Sequence, residues 1–136
     1  MPVAASARIG AHYAQGDYGA FASALDGAAG IQDRSAIAIG LPQTASVRSN
    51  LLLYNRGLAG AITVIGFRPD GTAVGPITVS LGDHAAGRLD SVFTALGVSD
   101  QIAGRIRVDV PAGMNVFAWT ARVDGFTGDV ELAALR

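Results

Sequence analysis

The chain has 136 residues, which fits a single domain large enough to bury a core without disulfides or a structural metal. Half of its residues are hydrophobic, 15% are charged and the net charge is −1, so the composition predicts neither nucleic-acid binding nor attraction to an anionic membrane. All ten basic residues are arginine, cysteine is absent and Glu131 is the single glutamate, which excludes lysine, thiolate and paired-glutamate catalysis, disulfides and cysteine-type zinc sites.

Two further features of the composition concern membranes and partners. No run reaches the roughly 18 to 20 apolar residues of a membrane span. The N-terminus lacks the basic start and apolar run of an intact signal peptide. The fraction of hydrophobic residues is high for so few charged ones. Either much of this apolar surface belongs to alanine in the core, or some of it is covered by another chain.

The first 33 residues predict an N-terminal arm rich in alanine, glycine and serine. Its large anchors are Tyr13, Tyr18 and Phe21, which we expect to lie at an interface. The segment 18–25 alternates loosely, as a strand does, but its three alanines also suit a helix. Three arrangements remain open: the arm pairs with a sheet edge, wraps over one face, or is a poorly ordered terminus.

Four strands are predicted between the arm and the middle of the chain, at residues 35–41, 47–55, 61–68 and 72–81. In the first, Ile37, Ile39 and Leu41 are expected to share one side. The second has four consecutive apolar residues, as in a central strand covered on both faces. Between the last two, Asp70-Gly71 favours a hairpin turn, because this turn needs a residue with positive φ.

The pattern breaks at residues 82–97. Within this break, Asp90 is expected to cap a single apolar helical turn, and Gly97 to end it. One helical turn that bridges two sheets is the simplest interpretation.

Three more strands are predicted in the last third of the chain, at 105–110, 114–123 and 130–135. The first alternates cleanly and should bury its three apolar side chains. The second is aromatic, and we expect its face with Phe117 and Trp119 to line the core.

Together these patterns predict an all-β fold, an immunoglobulin-like antiparallel β-sandwich of about seven strands with one short helical turn and an N-terminal arm. The arm would occupy residues 1–33 and the sandwich residues 34–136. No internal repeat indicates a solenoid or a propeller.

Two motifs carry a resemblance to a known class of domain, RSNLLLYN at residues 48–55 and AWTARVDGFTGD at residues 118–129. With the Asp-Gly turn between them, they resemble immunoglobulin-like β-sandwich domains of large secreted or surface proteins of soil-type bacteria. The resemblance covers residues 35–135. It implies an extracellular or cell-surface module with no known catalytic role.

The residues themselves offer no strong catalytic, cofactor or metal motif. No G-x-S-x-G elbow or glycine-rich phosphate loop is present, and His12 and His84 are expected in loops. Asp124 and Asp129 are the candidate calcium ligands, although calcium needs six to eight oxygens. The alternative is that these aspartates satisfy the backbone of their own turn. We therefore expect no enzyme activity and no cofactor.

Two functions remain in competition. The first is a structural or adhesive module that contacts other copies of itself or neighbouring domains, with Arg48 and Asn50 as further interface candidates. Asn50 has the alternative role of satisfying a local backbone group. The second is a carbohydrate-binding module that uses an exposed aromatic side chain such as Tyr54 or Trp119. A buried Trp119 would favour the first function, and an exposed one the second.

Overall fold

The computed structural model describes the backbone of residues 6–13, 16–25 and 27–136, and the side chains from residue 24 onwards except residue 26. In these ranges the secondary structure consists of β1 (Ser6–Tyr13), β2 (Gly16–Ser23), a 3-10 turn (Gly27–Ala29), β3 (Arg34–Gln43), β4 (Val47–Asn55), β5 (Gly60–Phe67), β6 (Ala73–Leu81), β7 (Ala86–Leu89), α1 (Val92–Ala95), β8 (Gln101–Val110), β9 (Val116–Asp124) and β10 (Val130–Ala134). Neither of the helical segments described here is long and apolar enough to cross a membrane.

Eight of the strands form two four-stranded antiparallel sheets, in the orders β10-β9-β4-β7 and β3-β8-β5-β6. From β3 onwards, only the β5–β6 and β9–β10 connections join neighbours within one sheet, and all others pass from one sheet to the other. The predicted all-β antiparallel sandwich is confirmed, with eight strands instead of about seven. The additional strand is β7, in the break at residues 82–97. The resemblance to immunoglobulin-like domains stays a prediction.

The core lies between the two sheets, and burial alternates along β5 and along residues 104–110 of β8. Side chains that are 3% exposed or less include members of β4 (Leu51, Leu53), β5 (Ile62, Val64), β8 (Ile106, Val108) and α1 (Val92, Phe93). The polar residues of β8 between these positions point outward, as the alternation at residues 105–110 predicts, whereas Ser49 and Asn55 of β4 are fully buried.

The short helix α1 ends as predicted but begins differently. Gly97 has φ +87°, and the N–H of Val98 donates to Phe93 O at 2.7 Å, which closes the helix at a glycine. The predicted N-cap Asp90 is wrong, because Ser91 occupies that position with φ 49°. Asp90 instead pairs with Arg88, at 2.9 Å.

The expected facing of the β3 side chains is wrong. Ile37 and Ile39 are 53% and 73% exposed, whereas Ala36 and Leu41 are buried. The register with β8 shifts between Ala38 and Leu41, where Gly40 has φ +70°. This β-bulge inserts one residue and reverses the alternation, so Leu41 does not share a side with the two isoleucines.

The expected facing of the aromatic strand β9 is also wrong. Val116 and Ala118 enter the core, and Phe117 and Trp119 lie on the outer face of the sheet. Trp119 is half-buried there. Both faces of β9 are apolar, so alternation identifies two sides without showing which one meets the opposite sheet.

In the described part of the arm, residues 18–23 lie in a strand and not in a helix. β1 and β2 pair as an antiparallel hairpin, and β2 lies against β10 at the edge of its sheet. The side chains of Tyr13, Tyr18 and Phe21 lie outside the described part of the chain. The sandwich begins before the predicted boundary at residue 34, because Ile31 is 1% exposed within the core and forms a bridge with Val116.

Candidate contact face and aromatic groove

The outer face of the β3-β8-β5 strands has an apolar part around two arginines, next to a polar row of Ser35, Asp109 and Thr63. The register places Ile37 and Ile65 on either side of Arg107, and Phe67 beside Arg105. Paired residues of antiparallel strands share a face, so these side chains form one surface. We call this surface the contact face and define it by its outward residues, Ile37, Ile39, Ile65, Phe67, Arg105 and Arg107.

Both arginines of the contact face are held by neighbours within the sheet. The Arg105 guanidinium carbon lies 4.8 Å from the centroid of the Phe67 ring, a cation–π distance. Arg107 Nε lies 2.9 Å from Asp109 Oδ1, and its Nη2 donates to Asp109 Oδ2 at 3.1 Å. Asp109 also accepts the Ser35 hydroxyl at 2.6 Å.

The carboxyl of Asp109 stays ionised through these contacts. Burial acts to raise its pKa, but the hydrogen bonds from Ser35 and Arg107 hold the pKa below its ordinary value of 3.8. Arg107 therefore keeps a charged partner at neutral pH, whereas Arg105 has a cation–π contact and leaves one net positive charge on the contact face.

A second surface lies on the outer face of the other sheet, near the end of β4. Phe117 and Trp119 stack with ring centroids 6.4 Å apart and planes 22° from parallel. Tyr54 pairs with Phe117 across the two strands and is 37% exposed. Together with part of the arm they line a groove of about 360 Å³, which we call the aromatic groove and define by Ala24, Leu25, Gly27, Tyr54, Arg56, Phe117 and Trp119.

Among the described residues that line the aromatic groove, Arg56 is the charged side chain. Ion pairs among the described residues join Arg88 to Asp90, Arg107 to Asp109 and His84 to Asp83, and Arg56 belongs to none of them. A Cβ atom at Gly27 would lie 2.6 Å from Arg56 Nη1, so the glycine leaves the room that the guanidinium occupies. The absence of a side chain at Gly27 thus lets the Arg56 guanidinium lie at the rim of the aromatic groove.

The interface candidates in RSNLLLYN have different surroundings. Arg48 is exposed, at the opposite end of β4 from the aromatic groove. Asn50 is 8% exposed, and its Oδ1 accepts the backbone N–H of Ser91 at 2.9 Å. Asn50 therefore satisfies a backbone group of its own chain, but one 41 residues away and not the local group considered from the sequence.

The calcium candidates lie in the turn between β9 and β10. Asp124 Oδ1 accepts the backbone N–H groups of Phe126 at 2.8 Å and Thr127 at 3.1 Å. The Thr127 N–H, followed by that of Phe126, lowers the pKa of Asp124 below 3.8. Asp129 joins the turn through its backbone, as its C=O accepts the Asp124 N–H at 3.0 Å. Among the described residues, no group of three or more His, Cys, Asp or Glu side chains is arranged to hold a metal ion.

His84 lies in the turn between β6 and β7, where its Nδ1 contacts Asp83 Oδ1 and both side chains are exposed. The side chain of His12 lies outside the described part of the chain. Comparisons with protein-family models, with curated proteins and with solved structures give no match.

Proposed function

We propose that this domain is a non-catalytic structural or adhesive β-sandwich module that acts through protein–protein contacts and associates with other copies of itself. The observation that supports this proposal is the contact face, where Ile37 and Ile39 are 53% and 73% exposed beside two ordered arginines. Exposed apolar patches of this kind mark interaction surfaces, and aromatic and arginine side chains are enriched in them.

The mode of association that we propose is face to face and not strand to strand. β3 is an edge strand, but the N–H of Ile37 already donates to Arg136 O at 3.0 Å. The C-terminal residue thus occupies part of the edge that another chain would need for β-pairing. The arm, with Tyr13, Tyr18 and Phe21 as anchors, is proposed as a second contact. An extracellular or cell-surface location agrees with the resemblance seen in the sequence.

Light scattering over a dilution series tests the proposal with two double variants. Ile37→Glu/Ile39→Glu should raise the dissociation constant of the oligomer more than about tenfold, because burying one isoleucine contributes roughly 1.5–3 kcal/mol. Thr78→Glu/Ser80→Glu makes the same charge change on the exposed side of β6 in the same sheet and should leave the mass unchanged. A monomeric parent protein at all concentrations would refute self-association.

A second candidate function, carbohydrate binding, is favoured by one observation. Trp119 and Tyr54 lie on an outer sheet face and not in the core, and both are accessible from the aromatic groove. An accessible Trp119 is the feature that, in the sequence analysis, favours a carbohydrate-binding module.

A further inference from the structure

We propose that the aromatic groove binds an acidic saccharide, such as a chain of uronic acid units, with a sugar ring on the aromatic surface and a carboxylate on Arg56. The proposal deepens the second candidate function and rests on it. It is independent of the contact face, which belongs to the other sheet.

The apolar part of the ligand is indicated by the aromatic side chains. Phe117 and Trp119 stack nearly parallel, and Leu52 pairs with Trp119 in the register of β4 and β9. Phe117 is 7% exposed and supports the Trp119 ring from beneath, so the accessible apolar surface comes from Trp119 and Leu52. It lies next to the exposed Tyr54, whose hydroxyl adds a hydrogen-bonding group. A volume of about 360 Å³ lies at the small end of ligand sites and suits a short stretch of sugar rings.

The charge of the ligand is indicated by the arginines of this sheet face. The strand register places Arg48 and Arg88 outward, in line with Val123 and Leu52. Arg88 is neutralised by Asp90, whereas Arg56 at the groove belongs to none of the ion pairs of the described residues. An arginine next to an apolar surface recognises a carboxylate through charge-assisted, often bidentate hydrogen bonds. An anionic ligand therefore complements the groove.

The backbone favours a saccharide over an acidic peptide as this ligand. At Tyr54, β4 is paired with β9 on one side and β7 on the other. At residues 116–118, β9 is paired with β4 on one side, and with Ile31 and Leu135 on the other. The described parts of β4 and β9 at the groove thus present no free strand edge to an extended peptide, whose binding commonly uses backbone hydrogen bonds. A sugar ring needs only the aromatic surface and the cation.

The test uses the fluorescence of Trp119, the single tryptophan of the chain, as the reporter. Trigalacturonic acid should change the emission in a saturable manner, and added sodium chloride should weaken binding. Arg56→Gln should weaken it about tenfold or more, since a hydrogen bond to a charged group is lost. Arg48→Gln, the matched control near the start of β4 on the same sheet face, should leave the affinity unchanged.

Each contrary result has a distinct meaning. Equal binding of neutral maltotriose, unaffected by Arg56→Gln, would refute an acidic ligand while saccharide binding remains. Equal or tighter binding of triglutamate would identify the ligand as an acidic peptide and overturn the proposal. If Arg48→Gln weakens binding as much as Arg56→Gln, the attraction is a general charge effect and the site is refuted. If no saccharide changes the emission, both the proposal and the second candidate function fail.

Discussion

Asn55 is a fully buried polar side chain whose hydrogen bonds hold three loops together. Its Nδ2 donates to Leu58 O at 2.8 Å and to Gly82 O at 2.9 Å. Its Oδ1 accepts the N–H groups of Gly57 at 3.0 Å and Asn115 at 3.2 Å. This side chain is 0% exposed, and both donors and the acceptor oxygen are used. Asn55 thus positions the segment that follows β4, which includes Arg56 of the aromatic groove.

Replacing Asn55 with alanine should destabilise the fold more than replacing Asn50. Asn55→Ala leaves four backbone groups without their partner and should lower the free energy of unfolding by at least about 3 kcal/mol. Asn50→Ala removes a single hydrogen bond, that from Ser91, and should cost about 1–3 kcal/mol. Urea denaturation of both variants provides the measurement. An equal cost for the two would contradict a special role of Asn55.

The turn at Asp124 should make stability depend on pH in the acid range. Hydrogen bonds from Thr127 and Phe126 lower the pKa of Asp124 below its ordinary 3.8 in the folded state. A carboxyl with a lowered folded-state pKa stabilises the fold above its unfolded pKa, and this contribution is lost as the pH falls through the folded value. Asp124→Asn should therefore melt at a lower temperature than the parent at neutral pH, and the difference should shrink below pH of about 4.

Asp129→Asn is the matched control for this titration, because Asp129 serves the same turn through its backbone N–H and C=O. Its melting temperature should follow that of the parent at every pH. An Asp124→Asn variant that follows the parent just as closely would show that the turn amides contribute nothing to stability.

Elements whose turns have a local chemical signature were predictable from the sequence. Asp70 Oδ1 accepts the Thr72 N–H at 2.8 Å and Gly71 has φ +89°, so the Asp-Gly hairpin forms where the sequence places it. β4 has the predicted bounds, and β6 begins one residue after the predicted start and ends at the predicted residue. Turn residues hydrogen-bond to backbone groups only a few positions away, so the signal for a turn is local and can be recognised in a single sequence.

The facing of two strands was not predictable, because it depends on pairing partners. The bulge at Gly40 exists only against β8, and it turns Leu41 to the side opposite Ile37 and Ile39. The sequence of β9 has two apolar faces, and the opposite sheet selects Val116 and Ala118 for the core. Both errors hide an accessible surface. Ile37, expected to share a side with Leu41, belongs to the contact face, and Trp119, expected in the core, belongs to the aromatic groove.

The candidate sites themselves could be predicted only in part. Tyr54 and Trp119 were candidate ligand-binding residues from the sequence, but Arg56 was not. Its position in the groove depends on Gly27, which is distant in sequence and has no side chain to signal a contact. The contact face likewise depends on the register of three strands, with Ile65 and Ile37 both beside Arg107.

At the scale of the whole molecule, the two candidate surfaces lie on different sheets of one sandwich. The contact face belongs to β3-β8-β5-β6 and the aromatic groove to β10-β9-β4-β7. Their outward faces point in opposite directions, because the inward faces of both sheets form the shared core. Association through one face therefore leaves the other accessible, and a self-associating module can present several copies of the groove.

The arm and the sandwich meet within residues 24–33, and two truncations define where the independently stable unit begins. Deleting residues 1–23 removes the β1–β2 hairpin, which forms its own two-stranded sheet. Deleting residues 1–33 also removes Ile31, which is 1% exposed and exchanges backbone hydrogen bonds of 2.8 and 3.0 Å with Val116. The shorter deletion should leave a cooperatively folded domain. The longer deletion should lower the free energy of unfolding by about 2–5 kcal/mol more.

Urea denaturation of both truncations, with Ile31→Ala in the full chain as the matched control, measures this difference. Ile31→Ala should account for much of the difference in free energy of unfolding between the two truncations, because it removes the same buried side chain from an otherwise complete protein.

Light scattering on the residue 1–23 deletion then tests the arm as a contact, since a smaller assembled mass is expected if the hairpin bridges copies. Loss of folding in the shorter deletion would show that the hairpin is part of the stable unit. Equal stability of the two truncations would mean that the core does not depend on Ile31 and begins at the boundary predicted from the sequence.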